Sequence, residues 1–186
     1  RGALDAVPQV AAAREHILVL QDFELDRLGR PVDPGMSALM AGREGSLVTV
    51  SGQLRPTYAI EQDGLLRLRL LNASASRFYR LALEDHPLHI IATDGGSLAA
   101  PQRVEELLLA PGERRDVLIQ GVRAGGAYRL MNLPYNRGSA GMMGGTFGTR
   151  TSFELATVVY EGRATSPADI PQTLGEVERL PPGPLR

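Results

Sequence analysis

Apolar and polar residues alternate along this chain in short runs with the two-residue period of a half-buried strand, and no 3.6-residue stripe is sustained. The clearest run is "LLRLRLLN" (65–72), where Leu66, Leu68 and Leu70 take one face and Arg67 and Arg69 the other. In "HILVLQDF" (16–23) the residues Ile17, Val19 and Phe23 share a face. Further strand-like runs lie at 47–52, 77–83, 88–93, 103–110, 115–121, 127–133 and 153–160. Turn chemistry separates them. Asp94-Gly95-Gly96 supplies positive φ for a tight reversal, and Pro111-Gly112 fits the two central positions of a type II turn. Gly125-Gly126 opens another strand, and only 33–44 has the makings of a short helix. The pattern predicts an all-β fold with little helix, an antiparallel β-sandwich with Greek-key connections.

The ends depart from this pattern. Five prolines fall between Ser166 and Arg186, which suits a connecting segment better than a strand or a long helix. Residues 1–14 read as an incoming segment from a preceding domain, 15–163 as the compact domain, and 164–186 as a Pro-rich linker toward a following one. A second biased patch, 136–150, carries five glycines and the adjacent pair Met142 and Met143, as a long loop would.

Composition narrows the chemistry. A chain of 186 residues, 43% hydrophobic with a net charge of −1, has enough sequence for one core and no charge excess suited to nucleic acid. No apolar run is long enough for membrane insertion, and the first residues lack the apolar block of an export signal. There is no cysteine, which removes disulfides, thiolate catalysis and thiolate metal sites. All 20 basic residues are arginine, so Schiff-base lysine chemistry is removed too.

The strongest hint of a metal is "DHPLHII" (85–91), which holds two of the three histidines. On a strand, His89 and residue 91 face the same way, and residue 91 is isoleucine. Two imidazoles with Asp85 nearby fall short of the ligand count a transition metal requires. His16 stands alone at a strand start. Glu105 and Glu106 are adjacent and so point to opposite faces, which prevents them from working as an acid–base pair. Arg114, Arg115 and Asp116 are candidates for an ion pair with each other or across to Arg67 or Arg69.

Several of these stretches resemble the multicopper oxidases. "VSGQLRPTYAIEQDGLLRLRLLNASASRFYRLAL" and "HIIATDGGSLAAPQRVEELLLAPGERRDVLIQ" are similar to the second of three domains in laccase-like members, and "EHILVLQDF" to that domain's first strand. The segment 65–119 carries the most specific part. Ser51-Gly52 departs from the Asn-Gly more usual there. The resemblance implies a cupredoxin-like sandwich that holds no copper, between outer domains that do. His86, Pro87 and His89 also follow the "His-Pro-x-His-x-His" run of the family's third domain, with Ile91 in place of the last histidine.

On this resemblance the parent is an exported enzyme, periplasmic or extracellular. It oxidises phenolic, amine or metal-ion substrates and reduces dioxygen to water, with copper in the parent and none in this chain. The domain is expected to be inactive alone, with no catalytic or metal residues of its own. Its partners are the preceding and following cupredoxin domains, and surfaces bared by their removal would favour self-association. Tyr135, Met142 and Met143 are the candidates for a substrate-groove loop, since thioethers are soft ligands suited to cuprous ion. The alternative is a copper-less scaffold that acts by protein binding, as implied by relatives such as a bacterial cell-division protein.

Overall fold

The computed structural model describes residues 3–33, 35–36, 38, 42–139, 146–149 and 151–176. A turn of 3-10 helix, Ala3–Ala6, and a short helix α1, Pro8–Ala12, precede the strands. These are β1 (Arg14–Phe23), β2 (Leu47–Val50), β3 (Thr57–Gln62), β4 (Leu65–Asn72), β5 (Tyr79–Leu83), β6 (Leu88–Thr93) and β7 (Gly96–Val104). They continue with β8 (Leu107–Leu109), β9 (Arg114–Gln120), β10 (Ala127–Leu133), β11 (Tyr135–Ser139), β12 (Thr146–Thr149) and β13 (Phe153–Arg163).

One sheet has the order β2-β1-β4-β9-β6-β7, the other β3-β13-β10-β5-β8, and β11 and β12 form a separate hairpin. Most pairs are antiparallel, but β1 runs parallel to β4 and β13 parallel to β3. The sandwich is therefore mixed rather than purely antiparallel. Of the short helix expected within 33–44, residues 34, 37 and 39–41 lie outside the described residues.

The period-two pattern decides what lies between the sheets. Leu66, Leu68 and Leu70 of β4 join Leu18 and Leu20 of β1 and Val117 and Ile119 of β9 in the main core. Tyr79, Leu81, Leu130, Leu155 and Val158 meet them from the second sheet. Each fully buried leucine contributes about 1.5–3 kcal/mol relative to exposure. On β1 the core face is that of Leu18 and Leu20; Ile17, at 58% exposed, turns the other way with Val19 and Phe23.

Two close approaches need glycine. A Cβ on Gly121 would lie 2.0 Å from the Glu61 carbonyl oxygen, where the chain leaving β9 crosses the β3–β4 turn. A Cβ on Gly45 would lie 2.3 Å from the backbone carbon of Phe23.

A third layer covers part of the outer face of the six-stranded sheet. Leu4 and Val10 from the incoming segment and Leu174 from the outgoing one are buried against Ile91, Ala92 and Leu118. The outgoing chain is pinned by backbone bonds from Ala164 N–H to Gln62 O, Ala168 N–H to Asp63 O and Leu174 N–H to Ala99 O, all 2.8–2.9 Å. Residues 164–176 thus pack on the sandwich, although their prolines exclude them from its strands.

Candidate functional site

The histidine-bearing stretch divides between two environments. Asp85, in the left-handed region at φ 54°, turns the chain after β5 so that His86 bridges back to Leu83. The His86 ring is buried, edge-on to Tyr128 with centroids 4.6 Å apart, and both of its nitrogens are engaged. Tyr160 Oη accepts the Arg123 N–H at 3.1 Å, and its own proton is directed to His86 Nε2 at 2.7 Å. His86 Nδ1 then carries the other proton and donates to Glu84 O at 2.7 Å, a tautomer assigned from this network. Burial, more than the neighbouring Arg123, holds its pKa below the ordinary value of 6.5.

His89 lies on the opposite side of the six-stranded sheet from the main core. It pairs in register with Leu118 and Arg103 and hydrogen-bonds to the Leu118 backbone. Its Nδ1 is buried with no partner among the described residues, and burial lowers its pKa. A register shift in β6 at Ile90–Ala92 sends both Ile91 and Ala92 into the outer cluster, while Leu88 and Ile90 remain in the main core. Ile91 shares His89's face as the alternation predicts, and it is fully buried. His16, near the start of β1, packs its ring on Tyr58 at 4.8 Å. Among the described residues, no three of His, Cys, Asp and Glu are grouped to hold a metal.

The groove candidates do not come together in a described site. Tyr135 opens the β11–β12 hairpin and stacks on Phe78, centroids 5.3 Å apart. Met142 and Met143 lie outside the described residues.

A polar hub that sequence reasoning missed stands at this end of the sandwich. The Arg77 side chain is 8% exposed and reaches Asp22 Oδ2 from Nε at 3.1 Å, Gly45 O from Nη2 at 2.6 Å and Thr149 Oγ1 from Nη1 at 3.0 Å. Asp22 also accepts the Gly45 N–H at 2.6 Å, and Glu44 pairs with both Arg77 (3.5 Å) and Arg137 (3.2 Å). The hub ties β1, the 44–45 turn and β12 together. Its only sequence signal was an arginine in "SASRFYR", among nineteen others of no special standing. Beside it, Asn72 donates to Arg77 O and Leu109 O and accepts the Ser74 N–H, so a buried amide is fully paired. Burial pushes the neighbouring Tyr79 phenol up to about 12.

The expected ion pair at the start of β9 is present: Asp116 Oδ2 meets Arg67 Nη2 at 2.6 Å. Arg67 also reaches Glu15 at 2.9 Å and Asp5 at 3.4 Å, beneath the incoming segment. Asp94 pairs across to Arg114, accepting from its backbone and guanidinium, instead of bonding only within its own turn.

The family model for multicopper oxidases matches residues 17–161. The chain belongs to the multicopper oxidase family. Among solved members, a variant of the McoA multicopper oxidase from Aquifex aeolicus superposes with a TM-score of 0.79 at 28% identity, over 95% of this chain and 39% of that one. A laccase-like CueO from Ochrobactrum sp. gives 0.73 at 26% identity, over 91% of this chain and 36% of that one. The sandwich is thus a cupredoxin-like domain of that family. Curated relatives include the cell division protein FtsP of Escherichia coli, 40% identical over 116 residues, 61% of this chain and 24% of that protein. FtsP of Sodalis glossinidius is 41% identical over 143 residues, 69% of this chain and 29% of that protein. The chain therefore spans between about a fifth and two fifths of the proteins it matches.

Multicopper oxidases use copper, and the described residues here do not fit it. His86 has both ring nitrogens engaged, His89 faces the outer cluster, and Ile91 offers no donor atom. No chemical step is therefore assigned to copper in this domain.

Proposed function

We propose that this chain is the middle domain of a multicopper-oxidase-like parent and acts as a copper-free structural module, holding the preceding and following domains in place. The observation that carries this is the filled "His-Pro-x-His" frame. His86 is locked between Glu84 O and Tyr160, and Ile91 is buried where a third imidazole would stand. A loosely held imidazole would be available to a metal; a ring hydrogen-bonded at both nitrogens is not.

For the parent we favour the scaffold reading, in which an exported protein acts by binding partners. The identity of 40–41% to FtsP proteins supports it, against 26–28% to the solved oxidases. The fold match to McoA and CueO favours a second reading, an oxidase of phenols, amines or metal ions that reduces dioxygen to water. In that reading Tyr135, Met142 and Met143 would line the substrate groove. The test is copper content and phenol oxidation by the full-length parent, with its outer domains inspected for "His-x-His" and "His-Cys-His" runs. The scaffold reading expects no stoichiometric copper and no turnover. Stoichiometric copper in the parent with dioxygen consumption would establish the oxidase instead.

A further inference from the structure

The two segments on the outer face of the six-stranded sheet each have a polar tether of their own. Asp5 of the incoming segment reaches Arg67 Nη1 at 3.4 Å. Asp169 of the outgoing segment accepts from Gln120 Nε2 at 2.6 Å. Their apolar contacts are common property. Leu4 and Val10 on one side and Leu174 on the other enter a single buried cluster whose floor is Ile91, Ala92 and Leu118. Residues 6–9 and 171–176 also line one groove together with Ser97, so the segments run side by side.

We infer that the two segments form a coupled clasp: undocking of either one loosens the other through the shared cluster. Close-packed apolar contacts have this property because a side chain withdrawn from a small cluster leaves its neighbours without packing partners and open to water. The cluster has six buried members, and Leu174 lines one groove with residues 6–9, between Leu4 and Val10 in the chain. The polar tethers go to different residues, Arg67 on β4 for Asp5 and Gln120 on β9 for Asp169. A chain anchored this way responds as one unit to disturbance at either connection, which two independent linkers would not do.

Amide hydrogen exchange followed by NMR on the full 186-residue chain tests it. The reporters are the Ala11 amide, bonded to Val7 O at 2.9 Å, and the residue-174 amide, bonded to Ala99 O at 2.8 Å. Leu174→Ala is expected to speed exchange at Ala11 about tenfold, and Leu4→Ala to speed exchange at residue 174 by a similar factor, as sub-global opening would produce. Asp169→Ala is expected to act on residue 174 with much less effect at Ala11. Ala11 exchange unchanged in Leu174→Ala would overturn the coupling. So would an acceleration matched at the β9 amides of Val117 and Ile119, in the main core, which would assign the effect to unfolding of the whole domain.

Discussion

Protonating His86 would place two N–H donors in a pocket that now supplies one carbonyl acceptor and one phenol committed as donor. His16, His86 and His89 all have pKa values lowered chiefly by burial. The unfolded chain therefore binds these protons more readily than the folded one, and stability rises with pH across the interval between the two values. Stability should be at its full level above the ordinary imidazole value of 6.5 and fall as pH drops below it. Urea midpoints measured at several values on either side of 6.5 check this; a midpoint independent of pH there would contradict it. Tyr160→Phe removes the hydroxyl facing Nε2 and leaves a buried ring nitrogen unpaired, at an expected cost of about 1–3 kcal/mol in urea unfolding. Arg77→Ala is expected to cost more, about 3–5 kcal/mol, because it strands a buried carboxylate at Asp22.

Strands with a clean alternation were legible in the sequence because their faces meet unlike environments. β4 is the clearest case: Leu66, Leu68 and Leu70 lie in the core, and Arg67 and Arg69 on the outer face, as the pattern required. β3 and β7 were not legible. β3 alternates weakly and gains its place by parallel pairing with β13, nearly a hundred residues away in sequence, which no local pattern encodes. In β7 most side chains are exposed or half-exposed, so apolar periodicity had nothing to report. The hydrophobic face of β1 shows the same limit. Alternation groups Ile17, Val19 and Phe23 together without saying that Leu18 and Leu20 face the core. Of the candidate site, the alternation correctly placed His89 and Ile91 on one face, but the Arg77 hub is built from contacts over 32 to 72 residues. At the turns, geometry is sharper than pattern. Gly121→Ala is expected to destabilise by about 1–3 kcal/mol, because the methyl group must displace the Glu61 carbonyl. Thermal or urea unfolding of that variant against the parent chain measures it.

For the molecule as a whole, the chemistry of its donors sets the expectation with metal. Equilibrium dialysis of this chain against cupric or cuprous ion should give no tightly bound stoichiometric copper, and the solution should stay without a blue thiolate band, since no cysteine is present. One copper retained per chain would contradict the structural assignment of His86 and His89. The burial of Leu4 and Leu174 in one cluster has a consequence of a different kind. The segments 6–9 and 171–176 line one groove on the same face, so a bridge from residue 176 to residue 3 need not cross the sandwich. New ends can then be opened in the exposed turn at 123–126, between β9 and β10. Such a circular permutant should keep the fold, and the uncut domain should survive transplantation into a surface loop of an unrelated host.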